Sequence, residues 1–558
     1  MIENSHKDTQ RYTKIHHHYL LALLFFISLF VLFFNIAKDG SRNFYLISDE
    51  ATLELRVLNA TRHIQYLGPY SRFGWNHPGP IYFYLLLPFY ALFSMGTQSL
   101  YVGAVFINIV SLLTLLYFLF KSKNNYFFYF MAFLLSLYIV YVLGFNAFST
   151  IWNPYVTILP FAAIIFMCTY LSLGNLKVLP LVALFSSFVV QTHVAYIPVL
   201  SGIIFISLLL CGLEKRRVSK NSPLEKDGQK PGKETLKSIG ITIGVLLVLW
   251  IIPIVETIKY PPGNLMQLVY YFMSSTTSHG LSESIAAVSG AANAPLVKFL
   301  GLFFPGISLS TTGSLLILFF IQLVLVTAAG IVLYRSGKKY QLHLLVFGLA
   351  GLIIAVISAM KITGPIYPYL IKWMSVIGFI NWSVIGFTFF LVLTKLFKPI
   401  KIIPGLEGIS AKISPRHKQV IIVSLVLIIS VVFFIRQQEA VHISSQIKRN
   451  PGKYRYIGEI SAAITNYTAK NNISSFLVKP IHSLWPIEAG VVNQLYKSSV
   501  CFSLEDNWLF WFGYQFRQRK QEKDIIFFKK EKEPGKSSQN QFLIYHTGEC
   551  SVYHIRRN

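Results

Sequence analysis

Long apolar runs recur along this chain, and they constrain its fold more strongly than any other feature. The first run, YLLALLFFISLFVLFFNIA (19–37), has the length of a membrane-spanning helix. No small-residue cleavage site follows it, so we expect a retained helix rather than a removed signal peptide. Charged residues make up only 13% of the 558 residues, about half of the roughly 25% that a soluble chain carries. The sequence therefore predicts a polytopic α-helical membrane protein.

The apolar runs predict about 11 transmembrane helices. Short cytoplasmic loops carry an excess of Lys and Arg, so the basic segments set the orientation. Segments 214–237, 334–341 and 395–419 are strongly basic, and we expect them in the cytoplasm together with the N-terminus. The segment 214–237 is also rich in Pro, Gly and Ser, which predicts a flexible linker. The predicted spans are 19–37, 99–120, 126–145, 155–173, 177–193, 195–213, 236–258, 314–334, 341–359, 374–395 and 419–435.

A further apolar run, PIYFYLLLPFYALFSMG (80–96), determines on which side of the membrane the following loops lie. Counted as a span, it would place the basic loop KSKNN (121–125) outside the cell. Counted as a juxtamembrane element, it leaves every basic loop inside. We therefore predict a non-spanning helix here. The predicted external segments are then 38–98, 146–154, the turn near 192–196, 259–313, 360–373 and everything after 436.

The last part of the chain differs in composition from the rest. Residues 1–435 form the predicted transmembrane domain, whereas 436–558 lack long apolar runs. The stretch KYRYIGEISAAITNYTAK is expected to be helical, and SSFLVKP and VCFSLEDNWLFWFG are expected to contain strands. A small α/β extracytoplasmic domain follows from this pattern. Two cysteines, Cys501 and Cys550, fall in it, and the sequence is compatible either with a disulfide between them or with two free thiols.

The charge balance excludes one class of partner. The chain has 50 basic and 23 acidic residues, a net charge of +27. The basic residues cluster in short loops between apolar runs rather than on one face, so nucleic-acid binding is not expected. The four cysteines have no metal-ligand spacing, and we predict neither a metal nor a cofactor.

One segment after the first span concentrates charged, aromatic and turn-forming residues. It reads ISDEATLELRVLNATRHIQYLGPYSRFGWNHPGPIYF (47–83). Ser48 is a candidate N-cap of an amphipathic helix whose first turn holds Asp49 and Glu50. Ordinary first-turn acids are the alternative explanation. Because an acid beside a membrane cavity is costly without a purpose, we expect a functional site in this external loop.

The order and spacing of these motifs resemble those of the GT-C superfamily of membrane glycosyltransferases. The likeness is greatest to the protein mannosyltransferase and aminoarabinose transferase-like families, and in detail it covers residues 40–100. Matching motifs are Asp49-Glu50, Gly68-Pro69-Tyr70 and His77-Pro78-Gly79-Pro80. The resemblance implies a GT-C-like fold and a sugar donor carried on a polyprenyl phosphate. It also implies that Asp49 is the catalytic or acceptor-binding carboxylate, with Glu50 supporting or replacing it.

Two departures from the family pattern stand out. Gly79 occupies the place of a second proline, and the second external loop, FNAFSTIWNP (145–154), lacks the acid that several relatives carry there. A hard divalent cation needs carboxylate oxygens, so this loss argues against a metal-dependent site. It also places any mechanism that uses two carboxylates in doubt.

Further polar and aromatic residues at the predicted external helix ends are candidates for binding substrate. We propose Arg72 and His77 for phosphate or sugar contacts, because the guanidinium group can bind phosphate with two donors. A local hydrogen bond would explain His193 equally well, and lipid-interface anchoring would explain the lysines and tyrosines. The candidate substrate-binding residues are Arg72, Trp75, His77, Asn153, Gln191, His193, Lys361, Tyr369 and Lys372.

The sequence thus predicts an inverting glycosyltransferase in the plasma (inner) membrane. It would move a sugar from a polyprenyl-phosphate donor to an envelope glycan, lipid or protein acceptor on the outer face, in contact with membrane lipids. A transporter or flippase for lipid-linked sugars is the alternative. Transporters place charges near the bilayer midplane on broken helices, whereas the charges of this chain lie in its loops. A third alternative is an assembly protein that binds partners through the C-terminal domain. This function would explain that domain but not the charged and aromatic residues of the first external loop.

Reporter fusions test the predicted topology. A fusion at residue 76 is expected to report the external side and one at residue 123 the cytoplasmic side, because the basic loop 121–125 is retained inside. The measurement is the activity of a reporter that works on only one side of the membrane. If both fusions report the same side, the segment 80–96 crosses the membrane.

Overall fold

A computed structural model of the chain describes residues 45–93, 95–221, 232–274, 279–304, 309–396, 451–518, 522–534 and 540–557. The predicted spans 19–37 and 419–435 lie outside the described residues. So do nearly all of the basic segment 395–419, the middle of the linker 214–237, and the boundary between the two predicted domains.

Helices dominate the part of the chain before residue 397. The α-helices there are α1 (Ser48–Ala60), α2 (Ile81–Leu92), α3 (Gln98–Phe120), α4 (Asn125–Leu137), α5 (Phe145–Ser149), α6 (Asn153–Val156), α7 (Ile158–Ser172), α8 (Leu179–Thr192), α9 (Ile197–Asn221), α10 (Lys233–Lys259), α11 (Asn264–Ser274), α12 (Leu281–Ala292), α13 (Ala294–Gly301), α14 (Thr312–Arg335), α15 (Lys339–Met360), α16 (Pro368–Ile371) and α17 (Met374–Leu396). A π-helix, Tyr138–Leu143, continues α4, and short 3₁₀ turns, Leu176–Val178 and Val194–Tyr196, precede α8 and α9.

The long apolar helices confirm a multi-pass membrane protein. Among the described residues, eight helices are long and apolar enough to span a membrane, and each matches a predicted span. The predicted span 177–193 corresponds to a shorter apolar segment, Leu176–Thr192, at the lower limit of spanning length. The predicted count of 11 is therefore not confirmed. Helix α2 has 12 residues, about 18 Å of rise, and is too short to cross the bilayer, as expected.

Burial separates the centre of the helical bundle from its lipid-facing rim. Every residue of α7 except Tyr170 is buried or nearly so, and α3, α8 and α9 pack around it. Helix α10 shows the opposite pattern, because its buried residues include polar Ser238, Thr242 and Glu256 while its aliphatic residues are exposed. A helix that turns polar groups inward and apolar groups outward is suited to a lipid surround.

The amphipathic segment of the first loop (residues 38–98) forms α1. Nine of its 13 residues, from Ala51 to Asn59, are buried, so the helix lies inside the fold. Ile47 occupies the N-cap position without a side-chain bond, and the expected Ser48 cap is wrong. Ser48 instead begins the helix with a φ of 51°, a left-handed conformation that costs a non-glycine residue about 1 kcal/mol or more.

The C-terminal part of the chain folds around a five-stranded sheet, which confirms a small α/β domain. The strand order is β2-β1-β3-β5-β4; β1 pairs in parallel with β2 and β3, and the remaining neighbours are antiparallel. Cys501 is exposed, Cys550 is buried, and both are free thiols. The elements are α18 (Pro451–Lys470), β1 (Phe476–Lys479), α19 (Trp485–Lys497), β2 (Phe502–Leu504), α20 (Leu509–Phe512), β3 (Asp524–Lys530), β4 (Gln541–His546) and β5 (Cys550–Arg556).

A buried carboxylate joins α1 to this domain. Glu54 is fully buried, and its carboxylate accepts hydrogen bonds from the Lys497 ammonium at 2.7 Å and the Asn493 amide at 2.6 Å, both on α19. On the same helix, the Arg56 guanidinium donates to the carbonyl oxygen of Phe510 at 3.0 Å. These contacts fix the C-terminal domain against the first loop.

Replacing Glu54 tests whether its carboxylate holds the C-terminal domain against α1. We expect Glu54→Ala to lower the free energy of unfolding by about 3 kcal/mol, because it leaves the Lys497 ammonium without its partner in a poorly solvated place. The measurement is thermal unfolding in nanodiscs combined with limited proteolysis, which should release the C-terminal domain.

A matched control is Glu234→Ala, which breaks an exposed pair between Glu234 and Lys177. Exposed pairs contribute little, so this variant should unfold like the wild type. Equal behaviour of the two variants would show that the Glu54 cluster does not hold the domain.

Candidate functional site

The first loop borders a cavity of about 1020 Å³. Its walls come from the first loop, the turn before α6, the start of α9, helix α11, the end of α15 and the loop that follows α15. Eight of the predicted site residues line it, which brings together segments that are distant in sequence. They are Asp49, Arg72, Trp75, His77, Asn153, His193, Lys361 and Tyr369.

Two donors hold the Asp49 side chain at the cavity wall. The Tyr70 hydroxyl donates to Oδ1, and the Trp152 indole N–H donates to Oδ2 at 2.9 Å. The side chain is partly exposed to the cavity. Because each oxygen keeps a free lone pair, the carboxylate can still accept a bond from a hydroxyl in the cavity.

Glu50 lies beside Asp49 but does not line the cavity. Its two carboxylate oxygens accept from the hydroxyls of Tyr101 and Thr150, each at 3.2 Å. Burial raises its pKa to about 7, and the hydrogen bonds only partly oppose this effect. The carboxyl group therefore connects the first loop to α3 and to the second loop (residues 146–154), where Thr150 lies.

Two histidines stack at the cavity wall. The His77 and His193 rings lie 4.8 Å apart, centroid to centroid, at an angle of 30°. The Val194 backbone N–H donates to His77 Nδ1 at 3.2 Å, so the ring proton of the neutral form sits on Nε2. Burial, and then the neighbouring imidazole of His193, lower the pKa of His77 well below its usual value. The histidine is consequently neutral near pH 7.

Unpartnered polar atoms accompany this stack. The Nδ1 atom of His193 and the indole nitrogen of Trp75 are buried, and neither has a hydrogen-bond partner among the described residues. Both residues are more than nine-tenths buried, and both line the cavity. Buried polar atoms normally have a partner, so a ligand or water in the cavity is expected to bind here.

Two cationic side chains border the cavity from opposite loops. The Arg72 guanidinium packs between the rings of Phe73 and Tyr367, 4.7 Å from each centroid. It also donates to the carbonyl oxygen of Thr363 at 3.2 Å. Lys361 lies two residues before Thr363 and is exposed. Arg72 thereby ties the first loop to the loop that carries Lys361.

Three predicted residues do not line the cavity: Glu50, Gln191 and Lys372. The Gln191 amide donates to the carbonyl oxygen of Leu249 at 2.8 Å. The Lys372 ammonium donates to the carbonyl oxygen of Val142 at 2.7 Å, at the end of the π-helix. For these two the structure shows a contact within the bundle rather than an opening onto the cavity.

Gln191 explains the departure at Gly79. A Cβ atom on Gly79 would lie 2.2 Å from Gln191 Oε1 and 2.8 Å from Pro253 Cγ. A proline at this position would meet the same atoms, so the close packing of Gln191 favours glycine. At Gly68, a Cβ would lie 2.6 Å from the carbonyl oxygens of both His77 and Gly79.

Sequence analysis missed residues that complete the site. Trp152 and Tyr70 lie in the quoted motifs without an assigned role, and Trp485 and Trp250 lie outside those motifs. Trp485 reaches the cavity from the C-terminal domain, and Trp250 reaches it from α10. The available signal for Trp485 was the concentration of tryptophans in that domain: Trp485, Trp508 and Trp511.

Of the comparisons with known proteins, only the one with solved structures finds a similarity. No family model matches the chain, and no curated protein matches it. The crystal structure of ArnT from Cupriavidus metallidurans in the apo state is similar with a TM-score of 0.52 and 10% identity, over 96% of this chain and 97% of that chain. The structure of the same protein bound to undecaprenyl phosphate gives a TM-score of 0.49, 10% identity and 96% and 98% coverage. The chain therefore shares the overall fold of the apo ArnT structure, as the motif resemblance implied.

The raised pKa of Glu50 predicts a pH dependence of stability. A carboxyl group with a folded pKa near 7 retains its proton more strongly in the folded state, so it contributes less stability as pH rises from about 4.5 to 7. The Glu50→Gln substitution removes this pH-dependent loss of stability. We expect the variant to raise the apparent melting temperature at pH 8 relative to the wild type, and to do so less at pH 5. An equal shift at both pH values would contradict the prediction.

Proposed function

We propose that the protein is a membrane glycosyltransferase that uses a polyprenyl-phosphate-linked sugar. It transfers the sugar to an envelope glycan, lipid or protein acceptor on the outer face of the plasma (inner) membrane, with the N-terminus in the cytoplasm. The observation that carries this proposal is the position of Asp49. Its carboxylate lies at the wall of a large, mainly apolar cavity that Arg72 and Lys361 also line.

The arrangement supports a direct displacement at the anomeric carbon. The acceptor oxygen forms a bond to this carbon while the bond from the carbon to the phosphate oxygen breaks with inversion. The hydroxyl proton passes to Asp49, and the polyprenyl phosphate leaves with the electron pair. Arg72 and Lys361 stabilise the negative charge of the leaving phosphate. Glu50 has a supporting role, because it holds the second loop against Asp49 through Thr150.

The cavity also suits the lipid part of the donor. Trp250 of α10, Ile197 of α9 and Ile357 of α15 line it alongside the loop residues. All three belong to helices long and apolar enough to span the membrane. A polyprenyl chain can therefore enter between apolar side chains while its phosphate meets the polar groups. His77 and His193 are proposed to contact this phosphate or its sugar.

A flippase for lipid-linked sugars would use the same cavity, and the role of Asp49 distinguishes a transferase from a flippase. A flippase needs no proton acceptor for a hydroxyl group. Here two donors from different loops hold the Asp49 carboxylate in one orientation, which is the preorganisation that a transfer reaction uses.

Replacing the proposed base tests the function. We expect Asp49→Asn to lower the transfer rate by about 10²–10⁴-fold, because the amide cannot take the acceptor proton. The measurement uses the full-length protein in vesicles that contain labelled polyprenyl-phosphate sugar and an envelope extract as acceptor. Glycosylated product and lipid movement across the bilayer are followed separately.

Asp506→Asn serves as the control, since this acid is exposed in the C-terminal domain and does not line the cavity. It should transfer at the wild-type rate. Full transfer by a correctly folded Asp49→Asn variant would contradict the role of Asp49. Labelled lipid that crosses the bilayer without any transfer would favour the flippase.

A further inference from the structure

The C-terminal domain contributes one side chain to the cavity. Every other lining residue belongs to the segment between Asp49 and Met374, and Trp485 is the exception among the described residues. Trp485 begins α19, the helix that also carries Asn493 and Lys497. The domain that the joint at Glu54 holds in place therefore supplies a wall of the cavity.

Tyr70 lies between Trp485 and the Asp49 carboxylate and contacts both. The Trp485 ring packs edge-on against the Tyr70 ring with centroids 5.5 Å apart. Tyr70 in turn donates to Asp49. On its other side Trp485 packs on Trp511 at 4.2 Å, which fixes the plane of the indole.

A second aromatic wall borders Asp49 on the side of its other oxygen. The Trp152 indole donates to Asp49 Oδ2, and its ring packs on that of Tyr369 with centroids 5.0 Å apart. Tyr369 stacks on Tyr367 at an angle of 10°. Aromatic groups thus contact the Asp49 carboxylate through both of its oxygens.

Flat aromatic surfaces beside a proton acceptor suit one class of acceptor. The C–H faces of a sugar ring pack on aromatic rings, and its hydroxyl groups project from the ring edge toward polar atoms. One recurring way to bind an extended peptide is to add it to a free strand edge, and none of the described strands contributes a residue to the cavity. A glycerolipid hydroxyl has no ring for Trp485 to contact.

We propose that Trp485 forms the acceptor subsite and that the acceptor is a saccharide whose ring packs against it with one hydroxyl directed to Asp49. This inference rests on the proposed function and names the acceptor class. The position of the indole depends on the C-terminal domain being fixed, which the Glu54 cluster and the bond from Arg56 to Phe510 provide.

The acceptor class is tested by following the label into defined fractions. Full-length protein in nanodiscs receives labelled undecaprenyl-phosphate sugars prepared from source-cell membranes. Separate reactions contain the envelope glycan fraction, the envelope protein fraction or sugar-free phospholipids. We expect label only with the glycan fraction, in a glycosidic bond to another sugar that alkaline β-elimination does not break.

Three variants separate stacking from a general structural effect. Trp485→Ala should raise the KM for the glycan acceptor by about three- to tenfold while the KM for the donor stays unchanged, because a stacking face is lost. Trp485→Phe keeps a ring without the N–H donor and should retain most of the acceptor affinity. Trp508→Phe, in the same cluster but outside the cavity lining, should behave like the wild type.

The outcomes distinguish this inference from the proposed function. Label bound to Ser or Thr of the protein fraction, or to phospholipid, would overturn the saccharide acceptor and leave glycosyl transfer intact. Equal losses of kcat in Trp485→Ala and Trp485→Phe, with unchanged acceptor KM, would show that the indole only positions Tyr70. No transfer in any reaction would overturn the proposed function and this inference with it.

Discussion

The carboxylate of Glu54 is inaccessible to solvent, and four donors from separate parts of the chain satisfy it. Besides Asn493 and Lys497, the hydroxyls of Thr97 and Tyr90 donate to it at 2.7 and 3.3 Å. A charge in this place is tolerated only with its full set of partners. The cluster therefore fixes the rotation of α1 about its axis and at the same time the position of α19.

The geometry near the cavity follows from this constraint. Asp49 lies at the start of α1, and Trp485 lies at the start of α19, so the joint between the two helices fixes the distance between the carboxylate and the indole. Tyr70 fills the space between them, donates a hydrogen bond to Asp49 and packs its ring against that of Trp485. The left-handed Ser48 at the beginning of α1 adds local strain, which the burial of the helix offsets.

Much of the fold could be predicted because its signals are local. Apolar runs of spanning length predicted the long helices, and the change in composition after the last run predicted the α/β domain. The ordered motifs around Asp49, Arg72 and His77 share one loop, so their convergence on the cavity was also predictable. The predicted boundaries are accurate for the span 99–120, which corresponds to Gln98–Phe120, whereas beside the basic linker the helix Ile197–Asn221 extends beyond the predicted end at 213.

The failures concern the direction of side chains and contacts between distant segments. Gln191 and Lys372 lie at helix ends, as expected, but a position at a helix end does not say which face a side chain occupies. Their actual partners, the carbonyl oxygens of Leu249 and Val142, are set by the packing of neighbouring helices. Trp485 reaches the cavity only because the C-terminal domain docks on α1, and no local pattern encodes that docking.

The second loop gives a physical reason for the missing acid. Where the motif resemblance implies a carboxylate, this chain places two donors, the Thr150 hydroxyl on Glu50 and the Trp152 indole on Asp49. A carboxylate in the place of either donor would repel the acids that it now faces. An indole N–H also directs Asp49 without offering an oxygen ligand to a cation, and hard divalent cations prefer oxygen ligands. Under the proposed function, this donor set suits a single carboxylate that accepts a proton, with Arg72 and Lys361 beside the phosphate of the donor.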